Sequence, residues 1–334
     1  MPLDNLVSLD NLEPLEPLEQ MRILTFIKNW TLPISMTLGV VGYFVYVSIH
    51  SLDHTHAFMN DFIGFLQPAL IFCMLFLSFC KVKPTELKPH RWQLKLLAIQ
   101  TLSFVGMALP VICWPDMPGR VFIESAMVCM ICPTATAAAV VTTKLHGNSS
   151  YVISYTCVIN LAAAILIPLV VSSLPDGAEG MDFVTSFTMI IGRVFPLLMM
   201  PLFLAFIVRY LSPRLHAWFV SVSGWAFYMW AVALMLAIGI TTKAIVHSNI
   251  SIIDFILIAV ISAATCVLQF YLGRLIGRHH GDKIAGAQSL GQKNTAFAIW
   301  MAYTFMNPVT ALAGGFYAVW HNIVNSYQLW KERQ

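Results

Sequence analysis

Charge is what this sequence is short of. Only 10% of its 334 residues are Asp, Glu, Lys or Arg, where a soluble domain carries roughly 25%. That shortage excludes an ordinary water-soluble globular domain, and no nucleic-acid partner is expected. The seven cysteines (Cys73, Cys80, Cys113, Cys129, Cys132, Cys157 and Cys266) all fall in apolar stretches without metal-ligand spacing. They read as small buried hydrophobes, with no disulfide and no zinc site. HExxH, GxSxG and clustered acidic metal ligands are absent, and Glu124 has no histidine nearby in sequence. An intramembrane protease or lipid-modifying enzyme therefore has no residues to work with, so the chain is read as no enzyme and no organic cofactor is expected. Residues 1–20, "MPLDNLVSLDNLEPLEPLEQ", are acidic and broken by prolines. They lack the basic start of a signal peptide and are read, with the rest of 1–28, as a cytoplasmic tail.

What is present is apolar: 58% hydrophobic residues and a mean hydropathy of +0.74. Runs of about 20 apolar residues bounded by charges indicate a polytopic helical membrane protein. Ten spans are read at about 30–50, 62–80, 92–113, 120–145, 150–173, 184–209, 217–243, 250–275, 283–305 and 308–330. The connections alternate in charge. Arg22 and Lys28, the Lys81–Lys95 cluster, Lys144, Arg209 and Arg214, Arg274, Arg278 and Lys283, then Lys331 and Arg333 mark one side. Asp53, Asp61, Asp116, Asp176, Glu179 and Asp182 mark the other, with Arg120 and Lys243 as basic exceptions. The positive-inside rule then puts both termini in the cytoplasm, with the protein in the cell (inner or plasma) membrane. Trp30, Trp92, Trp114, Trp218 and Trp330 lie near span ends, as an aromatic belt requires.

Two spans carry signs of a break. In "CPTATAAAVVTTKLHGN", Pro133 interrupts span four, and Thr134 and Thr136 can bond the freed backbone groups. In "GAQSLGQKNTAFAIWMA", Gly286 and Gly291 loosen span nine around Gln288, Gln292, Lys293, Asn294 and Thr295. Broken helices persist at membrane depth only where they line a cavity or pack inside protein. The breaks lie about 155 residues apart, as do spans one and six, and each half has five spans. That is the spacing of two inverted five-helix repeats, over 29–175 and 176–334, with a binding site at the paired broken helices.

At these motifs the sequence resembles the bile acid:sodium symporter (BASS) superfamily. The first break aligns without a gap on the family's Cys-Pro-Gly-Gly-Thr-Ala-Ser-Asn segment, and "GQKNT" is similar to its Gly-x-Gln-Asn-Ser. The resemblance implies a core of spans 3–5 and 8–10 set against a panel of spans 1, 2, 6 and 7. Spans four and nine would cross there, and organic anions would bind nearby with sodium coupling. The departures are specific. The family's Ser-Asn sodium ligands fall on Ala138 and Ala139, and methyl groups cannot coordinate a hard cation that needs oxygen. Of two span-five hydroxyl ligands, one falls on Val152 and the other is kept as Thr156; the span-three glutamine is kept as Gln100. In the second motif the glutamate position falls on Ser289, the glutamine on Lys293 and the asparagine on Asn294. A register shifted by one residue puts Gln288 and Gln292 on the glutamate and glutamine. Neither register supplies a carboxylate.

Lys293 lies ten residues past Lys283, or roughly 15 Å along a helix, near the middle of a roughly 30 Å hydrocarbon core. A charge there costs at least about 2.5–3.5 kcal/mol on insertion scales. One reading is that its ammonium replaces a sodium ion, meeting Gln100, span-four carbonyls and nearby hydroxyls, so that protons take over the coupling. The other is a lysine that snorkels or merely packs. Asn160, four residues after Thr156, shares its helix face. Arg193 is a candidate carboxylate clamp or a headgroup anchor. His321, with Asn322 and Asn325, suits interhelical hydrogen bonding or substrate contact. Arg120 and Glu124 form an i, i+4 interfacial pair, and His50, His54 and His56 flank an outer loop as a weak metal signal. The expected function is secondary active transport of a small or amphipathic organic anion, coupled to sodium or protons. A sodium-independent uniporter or exchanger, and a transporter-derived ligand sensor, are the alternatives, and no protein partner is indicated.

Overall fold

The computed structural model describes residues 30–175, 181–247, 250–332 and 334. The N-terminal tail, with Arg22 and Lys28, and the charged residues Asp176, Glu179 and Arg333 lie outside the described residues.

The described chain is helical throughout: α1 (Thr31–Ser48), α2 (His56–Cys80), α3 (Gln93–Cys113), α4 (Arg120–Ile131), α5 (Ala137–Lys144), α6 (Ser149–Val171), α7 (Phe183–Leu211), α8 (Pro213–Ser221), α9 (Trp225–Val246), α10 (Ile252–His279), α11 (Lys283–Gly291), α12 (Thr295–Phe305) and α13 (Ala311–Glu332). An apolar solvent offers backbone groups no partner, so each stretch satisfies its own amides as a helix. Pro68, Pro110, Pro168, Pro196 and Pro201 lie inside α2, α3, α6 and α7 without ending them. Six helices, α2, α3, α6, α7, α9 and α10, are long and apolar enough to cross a membrane. Span four divides into α4 and α5, span nine into α11 and α12, and α13 carries buried polar residues through its length.

Two boundaries differ from the sequence reading. Span two starts at His56, several residues earlier than read, after a 3-10 turn over 50–55. Span seven starts only at Trp225, because Pro213 opens a separate short helix, α8, whose Leu215 and Trp218 are exposed. The carbonyl of Cys80 at the end of α2 accepts from Arg209 (3.2 Å) and lies 2.9 Å from Nε2 of His216, which ties the α7–α8 corner to α2.

α1 lies on α9, and α2 on α7 and α9; α10 packs on α11, α13 and α4, and α3 on α4. The closest approach is α10 on α11, where Gly273 and Gly277 face Gly286 backbone to backbone. A Cβ at Gly273 or Gly286 would overlap the opposing carbonyl oxygen. Asp282 caps α11 through Ile284 and Ala285 N–H (3.0 and 2.7 Å) and also accepts from Asn148 N–H (2.6 Å), which joins the α5–α6 turn to the start of α11.

Candidate transport site at the helix crossing

Each break supplies what the other lacks. Helix α4 ends at Ile131 because Cys132 turns to an extended conformation before Pro133, which has no N–H. Helix α11 ends at Gly291, and Gln292 is extended in turn. The two extended segments then pair antiparallel, Thr134 opposite Lys293. Ala135 N–H donates to Gln292 C=O and Asn294 N–H to Pro133 C=O, both at 2.9 Å. Thr134 Oγ1 adds a hydrogen bond to Ser289 C=O, and Asn294 Oδ1 caps α12 through Phe297 N–H (3.2 Å). Buried backbone groups that a break would orphan are thus satisfied across the crossing.

Lys293 sits inside this junction with 1% of its surface exposed. Its Nζ donates to Met130 C=O at 3.3 Å. The side chains of Cys129, Cys132 and Cys266 lie nearby, and no carboxylate among the described residues does. Gln100 Nε2 takes the next two carbonyls, Ile131 (3.2 Å) and Cys132 (2.9 Å), while its Oε1 accepts from Tyr155 OH (2.9 Å). The expected contact is therefore amended. Lys293 and Gln100 lie side by side on the last carbonyls of α4, and the lysine holds a carbonyl of the helix end rather than of the unwound segment. That end is where the negative pole of a helix dipole favours a cation.

Sequence reasoning missed the counterpart of the Gln100–Tyr155 pair. Gln269 Nε2 donates to Cys129 C=O and to Tyr317 OH, both at 3.1 Å, and Tyr317 OH donates to Gly291 C=O (2.8 Å). A single glutamine in each of two apolar runs, "LLAIQTLSF" and "CVLQFYLG", was the available signal. Gln288 Nε2 donates to Asn325 Oδ1 (3.0 Å) and Gln328 Oε1 (2.9 Å), and the His321 ring meets that of Tyr317 edge-on at 5.8 Å.

Several buried polar atoms near the crossing have no partner: Ser289 Oγ, Gln292 Oε1, both amide atoms of Asn160, Gln269 Oε1, Gln288 Oε1 and His321 Nδ1. The last three alone, if left dry, would cost on the order of 3–9 kcal/mol, comparable with the roughly 5–15 kcal/mol net stability of a typical domain. Such atoms ask for water or a ligand.

The other candidates divide. Thr295 is buried at the start of α12, and Thr136 is half-buried before α5 without capping it. Thr156 is buried but its hydroxyl donates to Val152 C=O (2.8 Å). Arg193 is exposed on α7 and does not join the junction, since that helix packs on α2 and α6. Glu124 is buried and pairs with Arg120 at 2.6 Å, one turn away in the first turns of α4. His50, His54 and His56 form no metal-binding group among the described residues. A surface cavity of about 510 Å3 lies away from the crossing, beside His146, Arg278 and Lys283.

The model of the sodium bile acid symporter family matches residues 68–253, more than half of the chain. The chain belongs to that family. It is a multi-pass membrane protein of a family of solute transporters rather than enzymes. The match contains Gln100, the first break, Thr156 and Asn160, and stops before the second break. No curated protein matches. Ala138 and Val152 are buried and offer no side-chain oxygen to a cation, and the Thr156 hydroxyl donates to Val152 C=O.

Proposed function

We propose that this chain is a secondary active transporter of a small or amphipathic organic anion, working by alternating access, in which the Lys293 ammonium stands where a sodium ion would otherwise sit. The observation that carries this is the Lys293 Nζ bond to Met130 C=O in a buried junction without a carboxylate. A fixed cation there serves both needs of an anion carrier. It neutralises the carbonyl oxygens at the end of α4, and it offers positive potential to a substrate carboxylate entering beside it. The start of α5, which no side chain caps, adds the positive end of a helix dipole. A lysine can also release its proton, so coupling passes from sodium to protons.

The architecture belongs to the same reading: ten spans as two inverted five-helix repeats, 29–175 and 176–334, with a core of α3–α6 and α10–α13 and a panel of α1, α2, α7 and α9. Its support is the antiparallel pairing of the two breaks and the two glutamine–tyrosine pairs, Gln100–Tyr155 and Gln269–Tyr317, one in each half.

A thermal-shift titration of purified protein with sodium chloride against choline chloride, at several pH values, tests the coupling. Sodium is expected to leave the wild type unchanged and to stabilise Lys293→Gln, which removes the ammonium and supplies an amide oxygen. Stabilisation of the wild type by sodium would overturn the proposal.

A further inference from the structure

The buried polar residues of α13 are not scattered. Tyr317, His321, Asn325 and Gln328 recur at helical spacing along one face, and the first three are buried in an otherwise apolar surround while Gln328 is partly exposed. The upper end of this row meets the crossing. Tyr317 OH is bonded to Gly291 C=O, two residues from Lys293, and to Gln269 Nε2, which also reaches the Cys129 carbonyl next to the Met130 carbonyl that Lys293 holds. The lower end is closed by Gln288, which spans Asn325 and Gln328. Along the row three atoms lack partners: Gln269 Oε1, His321 Nδ1 and Gln288 Oε1. They come from three helices, α10, α13 and α11, so no small side-chain adjustment within one helix satisfies them all. Water needs two to four polar partners to stay in a protein interior, and this row provides them in sequence from the crossing to the Lys331 end of α13.

We infer that the polar face of α13, closed by Gln288 and Gln269, holds a file of water molecules that connects Lys293 to the Lys331 side of the membrane. This rests on the reading of Lys293 as the coupling group, because a lysine that exchanges a proton requires an aqueous route to one side. The titratable groups along the row and at its crossing end are Tyr317 and His321 on α13, Cys266 on α10, Cys129 on α4, Cys132 just past its end, and Lys293 itself. The Tyr155 side of the crossing is different: its hydroxyl is bonded to Gln100, and Gln100 spends both ends on protein partners.

The test is hydroxyl-radical footprinting of the full chain in lipid nanodiscs, in 18O-labelled water, read by mass spectrometry. Tyr317, Cys266 and His321 are expected to take up 18O several-fold faster than Tyr155, which is equally buried. Asn325→Leu, which fills the inner end with an apolar side chain, should bring Tyr317 and His321 down to the Tyr155 rate; Gln288→Leu is the second variant should the first misfold. Tyr317 and His321 labelling no faster than Tyr155 in the wild type would overturn the inference, as would unchanged labelling in both leucine variants. A dry row in a protein insensitive to sodium defeats this inference and leaves the coupling proposal standing. A hydrated row in a protein stabilised by sodium does the reverse.

Discussion

Lys293 and Gln100 divide between them the carbonyl oxygens that end α4, and the two side chains differ in what their removal does. Lys293→Met keeps the length and apolar stem of the side chain but removes an ammonium held by a single carbonyl bond. Replacing a poorly compensated buried charge by an apolar isostere is commonly neutral or stabilising. The expected outcome is an unchanged or higher thermal midpoint with transport lost, measured by thermal shift and by uptake into proteoliposomes. A large drop in midpoint would assign Lys293 to structure instead. Gln100→Leu is the contrast: it strips two carbonyls and leaves Tyr155 OH without its acceptor. Each orphaned buried group costs about 1–3 kcal/mol, so this variant should unfold at clearly lower temperature than Lys293→Met.

Among the helices, the tightest constraint is α10 against α11. Gly273, Gly277 and Gly286 bring the two backbones into direct contact, which is how small residues allow membrane helices to approach. Gly286→Ala places a methyl group on the Gly273 carbonyl and the Gly277 backbone, where neither neighbour can rotate away. Overpacking of that kind costs about 1–3 kcal/mol, and the loss should appear in the thermal midpoint and in uptake, because α11 carries Gln288, Gln292 and one side of the crossing. Gly106 in α3 is the control. A Cβ there meets nothing within 4 Å, and Gly→Ala in a helix interior favours the helix by about 1 kcal/mol. Gly106→Ala should therefore leave the midpoint unchanged or raise it.

For the molecule as a whole, the distribution of charge predicts an orientation. Lys81, Lys83, Lys88, Lys95, Arg278 and Lys283 gather at one end of the helices. A reporter fused after Gln334 should thus behave as cytoplasmic: a fluorescent protein should mature there, and a phosphatase that needs an oxidising compartment should be silent. The reverse result would invert the sidedness of the water route while leaving its path intact. Asp282 belongs to this scale as well. Its hydrogen bonds hold the Asn148 turn and the first turn of α11 together. Asp282→Ala is expected to lower uptake and the midpoint together, by about 1 kcal/mol or more for the lost cap alone.

The sequence by itself determined the membrane setting, the apolar helical stretches and the two places where a helix had to break. These follow from local chemistry: a run of apolar residues cannot expose its amides to lipid, Pro133 cannot donate, and Gly291 can end a helix. It also singled out Thr134, Gln288, Lys293 and Asn294, because a polar side chain in such a run is conspicuous, while Gln100 came from the family resemblance. Partners were beyond it. That Thr134 faces Lys293, that the lysine takes a carbonyl of α4 beside Gln100, and that Arg193 turns away from the junction depend on how helices far apart in sequence pack. Gln269 and Tyr317 were as visible as Gln100, but only the crossing of α4 by α10 and α13 shows what they hold. Hydropathy depends on each residue alone and is written along the chain, whereas hydrogen-bond satisfaction depends on pairs, and the pairs exist only once the two broken spans have met.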